Sequence, residues 1–215
     1  MSRFLWCCFF LLTFQSSASA ISLTGNTSPG SGLTAEELKS DQSWGQTFQI
    51  APSGSITEAT IDSVVLYLFR ASNQSGRTVT ASIRSSWNGA ALWESTVPVQ
   101  DLERDPGANQ SSLHDAVTFS GASAAISTDT MYYLRLDTTS SEKVYAHYDQ
   151  SSSYSPGHLI NKDGNSAGSG KDLLFQIEGS YTEVPEPATA LLMGLGFAGM
   201  ARARPCHRRR RQEAS

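Results

Sequence analysis

From Ser43 onward apolar and polar positions alternate with a period of two, the spacing of strands with one buried face. Trp44, Gln46, Phe48 and Ile50 share one face. Val79, Ala81 and Ile83 alternate with Thr78, Thr80, Ser82 and Arg84. Ile61-Asp-Ser-Val-Val-Leu-Tyr-Leu-Phe69 is apolar on both faces, as a central strand is. The pattern predicts further strands at Ala90 to Val97, Ala116 to Ser120, Met131 to Asp137, Lys143 to Asp149 and Leu173 to Tyr181, eight in all. Turn clusters such as Asn73-Gln-Ser-Gly76, Trp87-Asn-Gly89 and Asp163-Gly-Asn165 separate them. Short strands at this spacing predict an all-β fold, a single antiparallel β-sandwich of jelly-roll type. Ahead of them, Ile21 to Gly32 reads as an irregular lead-in. Thr34-Ala-Glu-Glu37 has capping-box spacing, which predicts one helical turn over Thr34 to Lys39. No repeat of fixed period argues for a propeller or solenoid.

The chain has 215 residues, of which 17% are charged, enough for one core. Charge sharpens the organisation. Seven of the 16 basic residues lie at the extremities, at Arg3, Arg202, Arg204 and Arg208 to Arg211. Residues 21 to 187 hold nine Lys and Arg against 19 Asp and Glu, a field that repels phosphate backbones. Nucleic acid is therefore not an expected partner. The three cysteines are Cys7, Cys8 and Cys206, so the middle has no disulfide, no Cys-ligated zinc and no Cys nucleophile.

Both ends read as processing signals. Residues 1–20 combine Arg3, an apolar run from Phe4 to Phe14 and the small residues Ala18-x-Ala20, the pattern of a secretory signal peptide cleaved by signal peptidase before Ile21. The alternative is an uncleaved anchor. At the other end Val184, Pro185, Glu186 and Pro187 precede an apolar segment from Ala188 to Ala201 and then Arg208, Arg209, Arg210 and Arg211. This order resembles the PEP-CTERM sorting signal of exopolysaccharide-producing Gram-negative bacteria. The resemblance implies processing near the Pro-Glu-Pro motif by an exosortase, a transpeptidase-like membrane enzyme. The physics agrees: a Pro-containing extended segment lies open to such an enzyme, and the arginines hold the far end of the helix in the cytoplasm. The apolar segment is short, at about 21 Å of helix against a hydrocarbon core of about 30 Å. A plain C-terminal tail anchor is the alternative reading. The expected division is a signal peptide at 1–20, a sandwich at 21–183 and a sorting segment at 184–215.

Ser43-Trp-Gly-Gln-Thr-Phe48, Val64-Val-Leu-Tyr-Leu68 and Asp129-Thr-Met-Tyr-Tyr-Leu-Arg-Leu136 together resemble the choice-of-anchor domains of bacterial surface proteins. That resemblance implies a β-sandwich at the cell surface and transfers no catalytic residue.

Within the middle, chemistry is sparse. Asn165-Ser-Ala-Gly-Ser-Gly-Lys171 has the look of a phosphate loop, but Asp172 stands where Ser or Thr would bind magnesium and a strand follows instead of a helix. Ser140-x-x-Lys143 falls in a polar turn. His114, His147 and His158 have no nucleophile or metal motif beside them and read as surface or loop residues. Asn161, Asp163, Asn165 and Asp172 could offer oxygens to calcium, yet lack the regular acidic alternation of a strong site. No cofactor and no metal are expected. Trp87, Tyr145, His147 and Tyr154 are the candidates for a glycan surface, since rings beside hydrogen-bonding groups suit a sugar face, although Tyr145 and His147 share one strand face with Tyr148 on the other. The expected function is thus a non-enzymatic protein exported to the envelope or biofilm matrix, anchored in the inner membrane before processing and acting in adhesion or exopolysaccharide binding. The alternative is a polysaccharide hydrolase or lyase with Asp101, Glu103 and Asp105 as its acids.

Overall fold

The computed structural model describes residues 21–181, apart from 54, 55, 73, 74, 141, 142, 152, 153, 156 and 169. The chain runs through β1 (Ile21–Asn26), β2 (Leu33–Leu38), β3 (Trp44–Gln49), β4 (Glu58–Arg70), β5 (Thr78–Arg84) and β6 (Ala91–Pro98). It continues with β7 (Glu103–Arg104), β8 (Ala116–Ser127), β9 (Met131–Thr138), β10 (Val144–Asp149), β11 (Leu159–Ile160), β12 (Asp172–Leu173) and β13 (Phe175–Tyr181). A 3-10 turn at Val99–Asp101 is the one helical element among the described residues.

The eight predicted strands are all present, and with them the all-β class. Alternation placed them because each has one face in a common core: Phe48, Ile83, Leu134, Leu136, Leu66, Leu68, Phe119, Val144, Phe175 and Ile177 are all buried together. Two sheets face each other. In one, β2, β10, β4 and β8 lie side by side; in the other the order is β3, β9, β5, β6. The chain passes back and forth between them as a jelly roll does. Both are antiparallel apart from the two-residue parallel pair of β4 with β7. The strand β13 lies against the first part of β4, with β1 outside it.

Four local expectations change. The lead-in from Ile21 begins with β1, which pairs with β13 and buries Leu23. The helical turn expected at Thr34 to Lys39 is the strand β2, paired over six residues with β10, so that Leu38 enters the core and Ala35 is covered on the opposite face. A capping box needs a following apolar helix face to matter, and here a neighbouring strand edge wins. The last predicted strand is broken at Leu174, and β8 runs on to Ser127, seven residues further than its alternation showed.

The strand β4 organises one whole sheet. It pairs with β8 and β13 over its first two thirds and with β10 and β7 at its end. Ala59 and Ile61 face the core, and so do Val64, Leu66 and Leu68, two sets that are out of phase by one residue. Pairing on both sides skips Asp62, which makes the correction. Its carboxylate accepts the Ser123 hydroxyl at 2.6 Å from the matching irregularity in β8. Because Asp62 is the surplus residue, removing it leaves Ala59, Ile61, Val64, Leu66 and Leu68 in regular alternation, whereas one residue inserted between Val64 and Val65 would turn Leu66 and Leu68 outward. The expected outcome is loss of the cooperative thermal transition in the insertion variant, while Asp62→Ala, which keeps the spacing, loses no more than about 1 kcal/mol.

Candidate functional site

The four aromatic candidates do not share a surface. Trp87, in the turn after β5, lies flat on the outer face of the five-stranded sheet and is 8% exposed. Its ring fills space that only glycine leaves open: a Cβ at Gly45 or at Gly164 would come within 2.7 Å of it. Gly164 also has φ +78, which favours glycine on its own. The Arg135 guanidinium covers the ring at 5.2 Å, Tyr133 meets it edge-on, and its N–H donates to the Lys162 carbonyl at 3.4 Å. Tyr154 packs edge-on against Phe175 and shares a 2.8 Å hydrogen bond with Thr24, tying β1 to the core edge. Burial raises the pKa of its phenol. Tyr145 and His147 are on the outer face of the other sheet, and His147 is fully buried there.

What buries His147 is the connection from β6 to β8. This strap pairs with the end of β4 through β7, where Phe69 stands opposite Glu103. It then turns at Asp105, whose carboxylate accepts the N–H groups of Gly107 and Asn109 at 2.8 and 2.9 Å. The return brings His114 down onto the sheet. Its ring stacks on Phe69 at 3.9 Å, and Tyr145 stacks on the same Phe69 at 4.8 Å. Phe69 points away from the sandwich core and is still 0% exposed.

The two histidines meet directly, His114 Nδ1 to His147 Nε2, at 2.7 Å. The partners assign the protons. His147 Nδ1 lies 3.1 Å from the Thr34 carbonyl, so it carries hydrogen and donates. Its Nε2 then accepts, and His114 Nδ1 is the donor. His114 Nε2 faces the Asp105 carboxylate at 3.3 Å and must donate too. His114 is therefore an imidazolium paired with Asp105, and His147 is neutral. Burial drives the pKa of His147 down to about 4, with the Thr34 carbonyl opposing and the charge of His114 assisting. The Asn109 N–H, aided by that of Gly107 and by His114, lowers the pKa of Asp105 against the effect of burial.

His114, His147 and His158 were expected to be surface or loop residues: His114 does lie in a connection, but its ring is only 6% exposed, and His147 is a fully buried residue of β10. The two rings that meet stand 33 residues apart in the chain. The available clue was the outer face of β10, where Tyr145 and His147 stand without the charge of a solvated face. The acidic candidates hold the strap in shape. Glu103 accepts the Asp115 N–H at 2.8 Å, Asp105 serves its own turn and His114, and Asp101 is exposed in the 3-10 turn. The Asn161 side chain is turned onto the N–H groups of Asp163 and Asn165, while Asp172 accepts from Gln46 at 2.7 Å. Among the described residues no three His, Cys, Asp or Glu side chains converge to hold a metal.

Residues 183–210 match the PEP-CTERM protein-sorting motif. No curated protein matches the chain. The motif marks a protein that is exported, held transiently at a membrane by its C-terminal part and processed by an exosortase-type enzyme. Val184, Pro185, Glu186, Pro187 and Arg208 to Arg211 lie outside the described residues, as does the expected signal peptide.

Because Trp87 is enclosed between two glycines and a guanidinium, its replacement leaves a void. Trp87→Ala is expected to lower stability by about 3 kcal/mol, read as a fall in the thermal midpoint.

Proposed function

We propose that the protein is a non-enzymatic component of the envelope or extracellular matrix of a Gram-negative bacterium, delivered by its sorting signal and acting in adhesion to exopolysaccharide. The observation that carries this reading is the sorting motif at 183–210, which starts two residues after Tyr181, the last described residue of the β-sandwich. In this reading signal peptidase removes residues 1–20, on the sequence pattern of Arg3, the apolar run and Ala18-x-Ala20. The acids at Asp101, Glu103 and Asp105 are occupied with strap backbone or exposed singly, which favours a binding role over hydrolysis. The outer face of the five-stranded sheet is the surface we assign to the sugar. There the part-exposed Tyr133 stands opposite Arg84, and Arg135 is fixed by Asp137 and Ser43 at 3.0 and 2.9 Å. A ring beside pre-set donors is the recurring arrangement for a sugar face.

Intact-mass measurement on the protein from its native-type host is expected to show a start at Ile21 and no Arg208 to Arg211. Replacing Pro185-Glu-Pro187 by alanines is expected to leave the arginines attached; arginines retained in the wild-type mature protein would remove the exosortase reading. Retention on the producer's own exopolysaccharide should drop at least tenfold in Tyr133→Ala. Release of reducing sugar by the wild-type protein would replace the adhesive reading with the hydrolytic one.

A further inference from the structure

We propose that the second half of the strap, residues 106–115, is a pH-responsive flap, docked on the outer face of the sheet by the His114–His147 pair and released when both imidazoles are protonated. The first half has independent fastenings. Arg70 donates to the carbonyls of Leu102 and Gln100, the Asp105 N–H is bonded to the Arg70 carbonyl, and β7 is paired with β4. Beyond Asp105 the strap's own backbone bonds are internal, from Ala108 to Asp105 and from Ser112 to Asn109. Leu113 points outward at 45% exposure. What attaches this half to the sheet is His114, through its stack on Phe69 and its bond to His147, together with one exposed hydrogen bond of 3.5 Å from the Thr34 hydroxyl to Gln110; the ion pair of His114 with Asp105 ties the flap to the fastened half.

The docked arrangement tolerates one proton count. His147 Nε2 is the acceptor for His114 Nδ1–H, so a second proton there sets two N–H groups head to head across 2.7 Å inside a buried site. The surrounding charges do not cancel this. On the strap, Asp105 is already paired with His114, Glu103 is exposed and engaged by the Asp115 N–H, and Asp115 itself is exposed. On β4, Arg70 adds positive charge; on β10, Tyr145 is neutral in this range. On β2, Glu37 shares the outer face but is paired with Lys39 at 3.3 Å, and the group facing His147 is the Thr34 carbonyl.

The sign follows from the two states. With the flap docked, His147 titrates near 4; with it open, an exposed imidazole titrates near 6.5. A pKa depressed in the docked state means that the His147 contribution to docking is at full strength above about 6.5 and weakens as pH falls towards 4. Docking also holds a proton on His114 Nδ1 that an open neutral imidazole lacks, which offsets part of this, so the ratio of open to docked forms is expected to rise roughly 15-fold between pH 7 and pH 4.5. Opening bares Phe69 and His147 beside Tyr145.

The test is hydrogen exchange on the purified mature protein at pH 7 and 4.5, corrected for intrinsic rates. Amides of 106–115 are expected to lose protection by more than tenfold at pH 4.5 while β3, β9 and the Val99–Asp105 half do not. His147→Gln keeps an acceptor for His114 and cannot take the second proton, so its protection is expected to stay level across the range. Unchanged protection of 106–115 in the wild type, or an equal loss in His147→Gln, overturns the proposal. If that variant does not fold, the wild-type imidazole NMR titration decides: His147 shifting near pH 4 together with the 106–115 amides supports the flap, and His147 shifting with those amides unmoved overturns it.

Discussion

A thirteen-residue strand in a sandwich has to keep its apolar side chains on one face over a length at which sheet twist works against it, and β4 meets that constraint with one surplus residue. Asp62 stands outside the pairing on both sides, so Ala59 and Ile61 before it and Val64, Leu66 and Leu68 after it all enter the same core. The consequence extends past the core. The same phase change sends Val65, Tyr67 and Phe69 outward, and Phe69 is a ring that water would not leave bare at low cost. The strap, its Asp105 turn and the buried histidines all follow from having to cover it.

That cover is polar where an ordinary core is apolar. A buried imidazolium is stable only when desolvation is answered by a counter-charge and by hydrogen bonds, and His114 has both in Asp105 and His147, with the Phe69 ring face against it. On the opposite sheet the arrangement has another logic. Trp87 is clamped by shape, with Gly45 against its six-membered ring, Gly164 against its five-membered ring and the Arg135 guanidinium over it, and its single polar atom reaches a backbone carbonyl.

Strands such as β3, β5 and β9 were legible in the sequence because their alternation is a local record of one buried face. The strands β1 and β2 were not. Ile21-Ser-Leu-Thr-Gly-Asn26 buries only Leu23, and Thr34 to Leu38 is held by hydrogen bonds to β10, more than a hundred residues away, which local spacing cannot register. The candidate site shows the same division. Tyr145 and His147 were correctly placed on one strand face, but the ring that joins them to His114 belongs to β4, and the anchor of Trp87 is split between residues 45 and 164. Contacts between distant segments decided which aromatics were enclosed, and composition favoured the opposite reading for Trp87. The sorting motif, by contrast, is contiguous, and contiguous signals survive reading in one dimension.

The position of β13 has a mechanical meaning. The strand is described as far as Tyr181, two residues ahead of the sorting motif, and lies between β1 and β4 instead of at a free edge. A load drawn through the chain after Tyr181, against a sandwich held at its far end, runs along the strand axis. The hydrogen bonds of β13 to both neighbours lie across that axis, so they are strained together and not one after another. Tension of this kind meets the sheet in shear, the direction in which a paired strand is slowest to yield.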